Sequence, residues 1–239
     1  MTGASPRQDF GALSSAGYTR TRWWWVRHAP VRADGGRIYG QSDPPCDCSD
    51  RPVFERLARL LPRNAAWVAS HLLRTQQTAE AIWAAGYGDG VALHRLPELA
   101  EQDLGTWQGE DRAAFFASRV PSPSSYWFAS AEERAPGGES FTDVVARVGA
   151  AVERLTGEYR GRDIVAVGHG GSIRAAMVAA MGMTPQRVLG VAVENCSVSR
   201  FDHYQGEGEA GWRTVMINHQ PWLDGGGAKE SAAGADKPA

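Results

Sequence analysis

Trp23-Trp24-Trp25-Val26-Arg27-His28-Ala29-Pro30 and Ile164-Val165-Ala166-Val167-Gly168-His169-Gly170-Gly171 are the two stretches whose reading decides the fold. Each opens with an apolar run of the length and composition of a buried strand, and each then reaches a histidine. In an open α/β sheet, ligands bind outside the carboxyl ends of the strands. Two strand-end histidines about 140 residues apart in sequence are therefore expected to share one crevice. A neutral imidazole attacks phosphorus, and a cation such as Arg27 holds non-bridging oxygens, so the pair suits phosphoryl transfer. Taken singly, either histidine reads as readily as an ordinary strand-end residue.

Working outward, strand and helix patterns alternate. Asp50 reads as a helix cap before Pro52, with Val53, Phe54, Leu57, Leu60 and Leu61 at helical spacing up to Pro62. Strands are predicted at Ala65 to Ser70, Val91 to Arg95 and Asp163 to Gly168. Helices are predicted at Thr75 to Ala85 (ended by Gly86), Phe141 to Tyr159 and Ser172 to Met181. Val188 to Val193, Ser197 to Tyr204 and Trp212 to Ile217 read as closing strands, some antiparallel. This order predicts an α/β fold, a three-layer αβα sandwich built on a mainly parallel sheet with antiparallel edge strands. Glu110 to Gly138 breaks the rhythm with three prolines and five aromatic residues. It reads as a small lid insertion, about 110–138, whose aromatics line a substrate or pack on the sheet. The folded domain is expected over 21–223, between a flexible tail at 1–20 and a disordered one at 224–239.

The chain has 239 residues, 43% of them apolar and 22% charged, and a net charge of -2. That length supports a well-buried core without staples, and the charge gives no reason to expect nucleic acid or an anionic membrane as partner. No apolar run approaches the roughly 20 residues of a membrane span, and the first residues lack the apolar core of a signal peptide. Three cysteines suit a reducing compartment, so a cytoplasmic location is expected. Cys46 and Cys48 form a C-x-C pair with no histidine nearby, which reads as solvated loop thiols ahead of a metal site.

Five stretches together resemble the histidine phosphatase superfamily, in its phosphoglycerate-mutase-like branch. Val26-Arg27-His28-Ala29 is similar to the signature Arg-His-Gly after the first strand, and Ser70 to Ala79 to the Ser-Pro-Leu-x-Arg-Ala-x-Gln-Thr-Ala segment. Leu99 to Gly109 resembles Leu-x-Glu-x-x-x-Gly-x-Trp-x-Gly, and Pro136 to Ser140 the entry to the long helix. Gly168 to Arg174 resembles the second-histidine motif. One match would be weak; five in order over roughly residues 21 to 220 are specific.

The resemblance implies roles residue by residue. His28 is the nucleophile, Arg27 and Arg74 hold phosphate oxygens with planar donor forks, and His169 donates to a further oxygen. Glu101 is the general acid and then the base for water, with Glu98 and Asp103 as nearby alternatives. Gly170 allows close backbone approach at a helix N-terminus, and Arg32 and Gln41 are candidate substrate contacts. No metal and no cofactor are expected. Three departures stand out: Ala29 replaces a glycine, His71 replaces a proline and is expected to be exposed, and no asparagine follows His28 closely. His94, His203 and His219 carry no motif. The expected activity is that of a histidine acid phosphatase-type phosphomonoesterase working through a phosphohistidine on a small phosphomonoester, an α-ribazole phosphatase being one specific form. A cofactor-dependent phosphosugar mutase and a catalytically weak phospho-ligand-binding protein are the alternatives.

Overall fold

Three consecutive tryptophans are buried in one strand only when both faces of its sheet are covered, because successive side chains point to opposite sides. In the computed structural model, which describes residues 17–119, 128–207 and 209–223, this is how β1 (Thr19–Arg27) lies. Trp23 and Trp25 enter one core cluster and stack with ring centroids 5.3 Å apart, while Trp24 and Val26 enter the other. The indole N–H groups of Trp23 and Trp24 donate to Thr156 Oγ1 and Asp163 Oδ1, both at 2.9 Å, so neither is buried unpaired.

The remaining elements are α1 (Arg51–Leu60), β2 (Ala66–Ala69), α2 (Leu73–Ile82), β3 (Leu93–Arg95), α3 (Arg112–Ala117), α4 (Phe141–Glu158), β4 (Asp163–Gly168), α5 (Gly170–Met181), α6 (Pro185–Val188), β5 (Val198–Gln205) and β6 (Ala210–His219). The six strands form one sheet in the order β3-β2-β4-β1-β5-β6. β3, β2, β4 and β1 run parallel; β5 and β6 add antiparallel at one edge. Residues of α4 and α5 (Phe141, Val144, Val148, Ile173) pack in the Trp23 cluster, and those of α1 and α2 (Phe54, Leu57, Ala79, Ile82) in the Trp24 cluster. Helices therefore cover both faces, giving the three expected layers.

Ser140 accepts from the Asp143 backbone N–H while the Asp143 carboxylate accepts from the Ser140 N–H, a capping box that starts α4. Pro52 stands in the first turn of α1 as expected, but Asp50 makes no capping bond with its side chain. Val188 to Val193, expected as a strand, is instead the end of α6 followed by loop. Thr184 caps and Pro185 opens that helix, and Val188, Leu189 and Val193 are buried without strand pairing. Thr19 and Arg20 of the expected N-terminal tail already pair with Gln205 and Tyr204 in the sheet. The rest of that tail through residue 16, all of the C-terminal tail, and 120–127 of the lid lie outside the described residues.

Candidate active site

β1 and β4 are adjacent and parallel, with Arg27 registered opposite Gly168. His28 and His169 are the next residues of each strand, so one strand spacing of roughly 4.8 Å separates their backbones. Their ring centroids are 5.1 Å apart, close enough for both to reach one phosphate group. His28 donates from Nδ1 to the carbonyl oxygen of Ala29 at 2.7 Å, which leaves Nε2 with its lone pair free. The carbonyl of His28 accepts from Asn195 Nδ2 at 2.7 Å, and its N–H donates to Gly168 O at 2.9 Å. Ala29 is fully buried, donates to Thr78 Oγ1 at 2.9 Å, and is absent from the positive-φ residues, so alanine fits there without strain.

His169 accepts from Arg74 Nε at Nδ1, 3.3 Å, and its Nε2 lies 2.7 Å from Ser70 Oγ. Both imidazoles are held well below the ordinary histidine value. Burial is the first cause for each; the charges of Arg27 and Arg74 add to it for His28, and for His169 Arg74 leads the charged neighbours. Both are therefore neutral at physiological pH, as a nucleophile requires.

Arg74 is fully buried near the start of α2, where its guanidinium donates to Ser42 O at 2.9 Å and Gly40 O at 2.7 Å. Tyr39 stacks beneath it at 5.1 Å. Arg27 donates from Nη1 to Val193 O at 2.5 Å, but its Nε is buried with no hydrogen-bond partner. The Glu101 carboxylate caps the start of α5: Oε1 accepts from Gly171 N at 3.0 Å and from Gln102 N at 2.9 Å. Gly170 faces the space between them, since a Cβ there would lie 3.0 Å from Arg174 Nη1 and 3.9 Å from both Arg27 Nε and Glu101 Oε2. His28, His169, Arg27, Arg74, Glu101 and Gly170 are thus brought together.

Arg32 and Gln41 are not. Arg32 is an exposed side chain bound to Asp47 Oδ2 at 2.5 Å, and it does not line the cavity beside Arg27 and Glu101. Gln41 spends its side chain on the carbonyl of Glu101 at 2.8 Å and so positions the Glu101 loop. Cys46 and Cys48 are half-buried against α2, their Sγ atoms 3.5 Å apart and that of Cys46 3.3 Å from Arg74 O, where solvated thiols were expected. His71 is exposed. Among the described residues, no group of three or more His, Cys, Asp or Glu is arranged to hold a metal ion. No described helix is long and apolar enough to cross a membrane.

Two arginines join the site that motif reading did not assign. Arg174 follows Gly170 by four residues, and helical side chains lean toward the N-terminus, so it reaches back to the site; the spacing was a usable signal. Burial pushes its guanidinium down to about 10, and Glu101 is the first group opposing that. Arg147, on α4, donates to the carbonyls of Glu98, Ala100 and Glu101, each at 2.9 Å, and pairs with Glu139 through Nε and Nη2 at 2.7 and 2.8 Å. No sequence pattern says which loop carbonyls stand opposite a helix, so this contact was not legible.

The sequence pattern of the histidine phosphatase superfamily (branch 1) matches residues 23–218. The probable phosphoglycerate mutase GpmB of Enterobacter sp. (strain 638) is 30% identical over 205 residues, covering 83% of this chain and 93% of that one. The 2,3-bisphosphoglycerate-dependent phosphoglycerate mutase 2 of Gloeobacter violaceus (strain ATCC 29082 / PCC 7421) is 30% identical over 136 residues. That match spans 56% of this chain and 62% of the mutase, less than two thirds of its length. Among solved structures, a mycobacterial glucosyl-3-phosphoglycerate phosphatase superposes with a TM-score of 0.69 at 26% identity, over 83% of this chain and 99% of that one. The α-ribazole phosphatase of Shigella flexneri shares the fold with a TM-score of 0.67 at 22% identity, over 83% and 96% of the two chains.

Proposed function

The chain belongs to the histidine phosphatase superfamily (branch 1), and on that premise we propose that it hydrolyses small phosphomonoesters through a phosphohistidine on His28. The observation that carries this reading is the buried, partnerless Nε–H of Arg27 beside two neutral imidazoles. A buried donor left unpaired is costly, and a phosphate oxygen satisfies it.

His28 Nε2 attacks phosphorus; the N–P bond forms as the P–O bond to the leaving group breaks. Glu101 Oε2, less engaged than Oε1, passes its proton to the leaving oxygen. The resulting carboxylate then takes a proton from water, whose oxygen bonds phosphorus as the N–P bond breaks, and phosphate departs with His28 neutral again. Arg27 and Arg74 hold the non-bridging oxygens. For His169 to donate as well, its proton moves to Nδ1: Ser70 turns its hydroxyl to donate into Nε2, and Arg74 Nε turns from the ring to the phosphate. The guanidinium groups supply fixed positive charge, so turnover is expected to survive a chelator.

The test is a phosphomonoester panel with His28→Ala as control, together with acid-labile, alkali-stable labelling of His28. The mutase reading has a specific support in the names of two relatives, GpmB and the Gloeobacter mutase. Product partitioning separates the two: with a phosphosugar, inorganic phosphate is expected to exceed isomerised phosphosugar. Dominant isomerisation, above all with a bisphosphorylated primer, overturns the hydrolase assignment. A protein that binds vanadate but neither labels nor turns over is the weakly catalytic ligand-binding alternative.

A further inference from the structure

We propose that the leaving group this site accepts is uncharged and carries an apolar or aromatic body, seated in the cavity that Phe116, Phe128, Pro30 and Val31 line. This rests on the phosphatase reading and names its substrate class. A cavity of about 370 Å³ opens from Arg27 and Glu101 toward α3, and Ile38 and Leu104 continue its apolar lining. Phe128 is backed edge-on by Trp107 and Phe115, with centroids 6.1 and 5.9 Å away, and meets Phe116 edge-on at 5.6 Å. Phe116 itself stays 46% exposed, one of few large apolar side chains so placed among the described residues. A ring kept in water at a cavity mouth is surface that a ligand would cover.

The charges argue the same way. Beyond the phosphate end, the charged groups among the described lining residues are Asp34 and Arg112. They neutralise each other through Arg112 Nη2 and Asp34 Oδ2 at 2.5 Å, and the same Nη2 donates to Arg37 O at 2.7 Å. Gly36 N–H holds the other Asp34 oxygen at 3.0 Å. A carboxylate or second phosphate on the leaving group would meet a guanidinium whose charge Asp34 already offsets, and would bring a second anion close to that carboxylate. The cavity therefore disfavours a phosphoglycerate-like leaving group and favours one that buries apolar surface.

Binding and turnover are measured separately so that the two readings fail separately. By calorimetry, 3-phenylpropylphosphonate is expected to bind at least about tenfold tighter than 3-phosphonopropionate, and Phe116→Ala to remove most of that preference. Asp34→Asn frees Arg112 and is expected to improve 3-phosphonopropionate by about tenfold. In turnover, kcat/KM for 2-phenylethyl phosphate should exceed that for 3-phosphoglycerate by a similar factor. Equal or reversed phosphonate affinities in the unaltered protein overturn the inference whatever the turnover. The expected affinity order with no hydrolysis of any ester upholds the pocket and sinks the phosphatase reading.

Discussion

A methyl group on Gly171 would fall far inside van der Waals contact of Glu101 Oε1, the oxygen its own N–H holds at 3.0 Å. The Glu101 carboxylate has one seat, and the absence of a side chain at 171 makes it. Gly171→Ala is expected to push the carboxylate off the start of α5 and lower kcat by about 10- to 100-fold. Vanadate affinity should move far less, because Arg27, Arg74 and both histidines are untouched; equal losses in both would show a general collapse of the site. Glu101→Gln tests the same group chemically. It should lower kcat by about a hundredfold or more with little change in phosphate inhibition, since the proton matters in the transition state and not in the ground state. A kcat within a few-fold of the parent would move the acid's role to Glu98 or Asp103.

At the scale of elements, the Glu101 loop hangs from α4 by one side chain. Arg147 holds three of its backbone carbonyls and is itself held by Glu139. Arg147→Met keeps most of the stem and removes the donors, so the loop should loosen while α4 still packs. The expected result is a kcat lowered about tenfold, with thermal stability down by about 1–2 kcal/mol for the lost charged hydrogen bonds. A stability loss without a change in kcat would make the contact structural only. This contact also marks the boundary of what the sequence discloses. That His28 and His169 meet was legible, because two apolar strand runs each reach a histidine and ligands gather at strand ends. The one-residue register that brings their rings to 5.1 Å needed the pairing of Arg27 with Gly168. Val188 to Val193 misled for the opposite reason. Its apolar residues are core, but its backbone faces Arg27 and Arg174 through the Val193 and Val191 carbonyls, a tertiary demand that outweighs strand propensity. Arg32 and Gln41 lie near His28 in sequence, but loop direction, which no periodicity encodes, sends one to Asp47 and the other to the Glu101 carbonyl.

For the molecule as a whole, keeping two imidazoles neutral in one buried site ties stability to pH. Each has a folded pKa well below the ordinary 6.5, chiefly through burial, and regains the ordinary value when the chain unfolds. Below pH 6.5 the unfolded chain therefore binds protons that the folded one refuses, and stability falls as pH falls toward the folded values. Two such groups set a limiting slope of about 2.7 kcal/mol per pH unit. A neutral His28 persists across the same window. If it is the nucleophile proposed above, kcat/KM should keep its acid limb below pH 6.5 while the protein loses stability, a separation an exposed histidine would not produce. Urea denaturation midpoints at about pH 7.5 and pH 5.5 measure the effect, with a His28→Asn, His169→Asn double variant as the comparison. His203 is also lowered by burial, but both proteins keep it, so it cancels in the difference. The parent should lose clearly more stability on acidification than the variant. Phosphate should offset part of that loss, because an anion bound to the folded state stabilises it by mass action and favours protonated imidazoles beside it. Parallel losses in the two proteins would mean that the histidines already bind protons in the folded state near pH 6.5. In that case the site, for all its buried arginines, does not hold His28 as a neutral nucleophile.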